Sequence, residues 1–153
     1  IAVRMWRSKS EDLHVRRVGH VVYGAYAAAS FVARRGLPTK DTLGETPLLS
    51  SSSAAEIEAA WLRRLSPSAA PSFTSSFSLA LLAAARAGAG VAILPRYLGD
   101  ADDELVHVPL PDPPSEPIWL TVHGDLRATP RVRALLDFLA AALKRDAGLL
   151  RGT

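Results

Sequence analysis

The apolar positions change period along the chain, and each period predicts an element. Residues 1–5, Ile-Ala-Val-Arg-Met, alternate as a strand does, and the polar stretch 8–13 reads as a loop. Residues 15–18 and 21–26 read as two extended segments. Ser30 is placed to cap a short helix over 31–35, closed by Gly36. A strand over 46–50 follows a connector at 38–43. Ser53 with Glu56 then makes a capping box, and Ile57, Ala60, Trp61 and Leu65 share one face of the helix it opens, which ends at Pro67.

The most organised stretch is 73–95, FTSSFSLALLAAARAGAGVAILP. A brief strand over 72–74 leads into hydroxyls at Thr74, Ser75 and Ser76, which open a helix running through Arg86. Gly88 and Gly90 stop it, and an apolar strand over 91–94 is cut by Pro95. Beyond it come a helical turn at 96–100, a strand at 105–109, a proline-rich irregular stretch and an alternating strand at 118–123. Thr129 before Pro130 starts the longest helix, 130–145, with Val132, Leu135, Leu136, Leu139 and Leu143 in one stripe. The tail at 149–153 is expected to fray. Strands alternating with helices predict an α/β domain, whose ligands gather at helix starts and strand ends.

Composition narrows the class. Apolar residues make up 48% of 153, enough for a sizeable core in one domain or two small lobes. No apolar run approaches the length of about 18 that a membrane span needs, and residues 1–9 lack the pattern of a signal peptide. The chain starts without Met and inside an apolar alternation, so it reads as the C-terminal part of something longer. With no cysteine there is no disulfide framework or thiolate chemistry, and the cytoplasm is the default location. The net charge of +3 invites a nucleic-acid partner. However, Arg34, Arg35, Arg63, Arg64, Lys144 and Arg145 fall in last helical turns, where cations complement the helix dipole.

No catalytic constellation is visible. The serines form no nucleophile elbow, and His14, His20, His107 and His123 lack metal-binding spacing. His123 with Asp125 reads as turn chemistry. Gly88 and Gly90 follow a helix and precede a strand, the reverse of a dinucleotide-binding turn. Candidate binding chemistry lies elsewhere. Hydroxyls and backbone N–H groups at 50–53 suit a carboxylate or another polar group, or form a polar loop with one cap. Ser75 and Ser76 read as helix caps first and ligand contacts second. Arg4 has the planar fork that pairs a carboxylate, although such an arginine is more often a structural ion pair or a solvated side chain. Trp6, at a strand end, is a core aromatic or a cleft wall.

Four segments in order resemble one family. AGAGVAILPRYL after its helix, IAVRM, VRRVGHVVYGAYAAASFVARRG and WLTVHGDLRATPRVRALLDFL are similar to segments of the C-terminal effector-binding domain of LysR-type transcriptional regulators. The resemblance implies an α/β fold like type-2 periplasmic binding proteins, with two Rossmann-like lobes, the first incomplete. It places 1–20 and 101–145 in the first lobe, 21–100 in the second and 146–153 in a tail. The family's DNA-binding helix-turn-helix has no counterpart in these residues. The resemblance further implies a small effector, often a carboxylate, held between the lobes by Ser50, Ser51, Ser52, Ser75 and Ser76. Ile93, Leu94, Pro95 and Trp6 would be walls, and Arg4 a further contact. No cofactor, metal or membrane is expected. DNA would be reached only through the missing domain, and self-association would give a dimer of effector domains and a tetramer of the parent protein. A transporter's solute-binding protein and a small enzyme or structural fragment are the alternatives.

Overall fold

The structure is a computed structural model that describes residues 1–52 and 55–152, without the side chains of 55 and 56. The capping box of Ser53 and Glu56 therefore lies outside the described residues. The chain divides into two compact units, Ile1–Val21 with Ser115–Thr153, and Val22–Pro114.

The first unit carries strands in the order β1 (Ala2–Arg4), β7 (Ser115–His123) and the leading part of β2 (Leu13–Ala28). β1 runs antiparallel to β7, with Val3 opposite Leu120 and Arg4 opposite Trp119. Helix α5 (Pro130–Arg145) has Pro130 in its first turn, where the missing N–H costs nothing. Its apolar stripe is only partly covered: Val132, Leu136, Leu139 and Leu143 are half-buried, whereas Leu135 stands exposed. A hollow of about 530 Å³, lined by His14, Arg16, Leu120, Arg127 and Leu136 among others, lies beside it. The tail does not fray as expected, because residues from Ala147 to Arg151 form a further helix, α6, ended by Gly152 at φ 70°.

The second unit is built on the trailing part of β2, whose residues Tyr23 and 25–28 are buried. The two extended segments expected at 15–26 are thus one strand of 16 residues. Gly19 and His20 do not break it. β2 pairs antiparallel with β5 (Val91–Pro95) and with β6 (Leu105–Val108). β5 then pairs in parallel with β3 (Leu48–Ser51), and β3 with β4 (Pro71–Ser75). The resemblance places this strand, within 101–145, in the first lobe. Its hydrogen bonds to Ala25–Ala28 keep it in the second unit, and the chain re-enters the first at Ser115.

Three helices follow or join these strands: α1 (Ala29–Arg35), α2 (Ala55–Leu65) and α3 (Ser78–Arg86), with the short α4 (Arg96–Gly99) after β5. Gly36 closes α1 at φ 80°, as the pattern implies, but the helix starts at Ala29 and Ser30 is no cap. On α2 the buried stripe is Glu58, Trp61, Leu62 and Leu65, and Ala60 is exposed. The expected face, which counted Ile57 and Ala60, is turned by one position because a buried acid takes the place of an aliphatic residue. α3 packs Leu81 and Ala85 against Tyr26, Leu49, Ala92 and Leu94 in one core cluster. Arg86, in its last turn, pairs at 2.7 Å with the buried Asp102.

Tyr26 ties this core to the turn after β5. Its hydroxyl donates to Asp100 at 2.5 Å, and Arg96 donates to the same carboxylate at 3.1 Å. The His107 ring lies 5.3 Å from the Tyr26 ring. Burial, then the nearby Arg96 charge, lowers the His107 pKa below its ordinary 6.5. The folded state therefore prefers neutral His107. Its contribution is complete above 6.5, where the unfolded imidazole is also neutral, and declines as acidification protonates the unfolded chain first. Urea midpoints should fall between pH 7 and pH 5, and His107→Gln should flatten that fall relative to the unsubstituted chain.

Candidate functional site

The C-terminal ends of three parallel strands, β3, β4 and β5, lie on one end of the second unit's sheet. They bring most of the candidate residues there. Ser51 is the register partner of Ser75, and Ser50 of Thr74. The Ser52 N–H donates to the Ser75 carbonyl at 3.1 Å, which locks the two strand ends together. Ser52 and Ser76 are exposed, and Ser51 and Ser75 are partly so. Pro95 ends β5 on the same side.

The roles of these residues differ from the sequence expectation in three respects. Ser50 is 2% exposed, and its hydroxyl donates to Oε2 of Glu58, a carboxylate buried on α2. The Ser51 N–H donates to the same oxygen at 2.9 Å. The hydroxyl of Ser50 is thus turned inward. Second, Ser75 and Ser76 do not cap α3. The N-cap is Phe77, with no side-chain cap, and Ser75 ends β4. The Ser75 hydroxyl accepts the Phe77 N–H at 3.1 Å, a local turn that spaces the strand from the helix. Third, Ile93, Leu94 and Pro95 are buried, and Leu94 belongs to the core cluster under α3. Leu94 holds the sheet together.

Arg4 and Trp6 belong to the first unit. Trp6 is 63% exposed, and the Arg4 guanidinium stands 5.6 Å from its ring centroid. This is a cation–π pair with the indole open to solvent, so Trp6 is not the core aromatic of the alternative reading.

Glu58 is the residue that the sequence reading missed. It falls on the helix's apolar face by spacing, four residues before Leu62 and three before Trp61. An acid on that stripe is the signal, because a buried acid demands donors, and the strand end before the helix is the nearest source. Among the described residues no cluster of His, Asp and Glu is placed to hold a metal ion. None of their helices is long and apolar enough to cross a membrane.

Comparison with known proteins agrees with this architecture. Residues 1–144 match the family model described as the LysR substrate binding domain. Comparison with curated proteins gives no match. Among solved structures, the chain is similar to the regulatory domain of CrgA, a LysR-type transcriptional regulator from Neisseria meningitidis. The TM-score is 0.72 at 19% identity, over 92% of this chain and 74% of that one. ArgP from Mycobacterium tuberculosis gives 0.73 at 22% identity, over 92% and 50%. The AmpR effector binding domain from Citrobacter freundii gives 0.68 at 22% identity, over 89% and 70%. The chain spans about half the length of the longer relatives, 51% for the longer CrgA chain and 50% for ArgP.

Proposed function

Because the chain belongs to the LysR substrate-binding-domain family, we propose that it is the effector-sensing domain of a LysR-type transcriptional regulator. Its fold is the periplasmic-binding-protein-like α/β fold of that family. The carrying observation is the paired strand end, with Ser51 opposite Ser75 and Ser52 bonded across to the Ser75 carbonyl. Parallel strands end there beside the starts of their following helices, which is where open α/β sheets present backbone and hydroxyl groups to a small ligand.

In this reading Ser51, Ser52, Ser75 and Ser76 contact a small metabolite. Ser50 supports them through Glu58, and Ile93, Leu94 and Pro95 back the site as core. The regulator recognises DNA through a separate domain, acts in the cytoplasm as a homo-oligomer, with effector domains paired in a tetramer, and catalyses no reaction. Effector binding changes operator affinity through a coupling of about 1–3 kcal/mol, the usual scale for allosteric linkage.

The test uses the full-length regulator. Ser51→Ala and Ser75→Ala should each weaken the effector response about tenfold, the loss expected of one hydrogen bond of about 1.5 kcal/mol. Operator binding without effector should be unchanged in a gel-shift titration. Loss of operator binding in the same variants would make these serines structural. Nothing in the fold favours the transporter or enzyme readings over this one.

A further inference from the structure

The hollow beside α5 lies wholly in the first unit, whereas the serine-bearing strand ends belong to the second. β2 gives it His14 and Arg16, the turn after β7 gives Arg127, and α5 gives Arg133, Leu136 and Asp137. Leu120 and Val122 of β7, 1% and 2% exposed, form its apolar floor. Its volume of about 530 Å³ falls within the range of small-molecule sites.

The charges around it do not balance. The lining holds three guanidiniums and one carboxylate, a net charge of plus two with His14 neutral. Arg16 reaches Asp137 only at 3.9 Å, and both side chains are more than half exposed, so that pair is loose and worth little. Among the described residues no acid pairs with Arg127 or Arg133. Helix α5 has no acid in its first turn to offset Arg133. Like charges gathered around a concave, apolar-floored space repel one another and focus a positive potential, which an anion relieves. The guanidinium fork suits the paired oxygens of a carboxylate or a phosphate, and the floor suits a short apolar body.

We propose that this hollow is a second binding site, for a small dianion on a short apolar body, with Arg127 and Arg133 as its anion contacts. Phosphate monoesters and dicarboxylates share that chemistry. Arg16 joins the contacts when it leaves Asp137, whose own carboxylate limits the affinity. None of these residues is among those assigned to the effector, so the site goes beyond that reading and does not depend on it.

The experiment titrates the 153-residue chain, isotope-labelled, with phenyl phosphate, with phthalate and with uncharged benzamide. Amide resonances of Gly124, Ala128 and Leu136 report the hollow, and those of Ser51 and Ser75 report the strand ends. At least one dianion should bind in the hollow more tightly than benzamide, and the tighter dianion tells a phosphate monoester from a dicarboxylate. Arg127→Gln and Arg133→Gln should each weaken that binding about tenfold, the scale of one charge-assisted hydrogen bond. Neither side chain has an acidic partner to lose, so both variants should fold, and unchanged resonances in the second unit verify it. Asp137→Asn should act in the opposite direction and tighten binding about threefold, the scale of an exposed ion pair. Arg63→Gln, which removes an equal charge from α2, should leave binding unchanged. Dianions that leave Gly124, Ala128 and Leu136 unmoved overturn the proposal, as does benzamide binding there as tightly. So does an affinity that falls equally in Arg63→Gln and Arg127→Gln, which would mark general attraction to a basic chain. Because Ser51 and Ser75 are read separately, failure of this site and failure of the effector reading are distinguishable.

Discussion

Leu94→Ala is expected to destabilise the chain by about 2–5 kcal/mol, the range for emptying a leucine from a packed core. Leu94 is 0% exposed and sits among Tyr26, Leu49, Leu81, Ala85 and Ala92, so α3 and the sheet meet on it. Those neighbours cannot close the gap easily. Tyr26 is held by its bond to Asp100, and Leu49 is fixed on β3. For a chain of this size, a loss of that order lowers the melting temperature by about 10 °C. Thermal unfolding followed by circular dichroism checks it. A melting point within about one degree of the unsubstituted chain would mean that Leu94 faces open space, the wall role expected from the sequence. A large drop places it in the core.

That contrast shows what the pattern could and could not reveal. A short apolar run such as 91–95 announces a buried strand, but burial on both faces looks the same whether one face borders a ligand or a helix. The structure resolves it because α3 supplies Leu81 and Ala85 to that face. The serines were legible as a polar cluster at strand ends, since their spacing sets two corners after two short strands. Their division of labour was not. Whether Ser50 points inward depends on Glu58, eight residues later, and a helical-face argument that counts only apolar residues passes over it. Likewise β2 reads as two segments because Gly19 and His20 interrupt the apolar run, although the backbone pairing does not depend on side-chain polarity there. The placement of β6 depends on which strand it pairs with, and pairing is a non-local choice that local periodicity does not encode. Helix ends marked by Gly36 and Pro130 were legible because these residues act through their own backbones.

The second large effect is expected at Gly90, where the demand is also on the backbone. A Cβ added there would collide with the carbonyl oxygen of Pro47, and Pro47's own carbon atoms lie at 3.0 and 3.1 Å. The same carbonyl accepts the Val91 N–H at 2.9 Å, which starts the pairing that continues as Leu48 with Val91 and Leu49 with Ala92. Pro47 therefore cannot retreat without lengthening that bond and pulling β3 from β5. Gly90→Ala should cost about 3 kcal/mol, the upper part of the range for overpacking a filled interior. The cost should concentrate on β3, because β5 is also held by β2 on its other edge. Hydrogen exchange then distinguishes a local from a global effect. Amide protection at Leu48 and Leu49 should fall more than at Gly24 and Ala25, and binding at Ser51 should weaken along with it, since Ser51 ends the strand that is loosened. Equal losses at β2 and β3 would instead show that the unit unfolds as one, and that Gly90 holds the whole second unit and not the serine-bearing strand in particular.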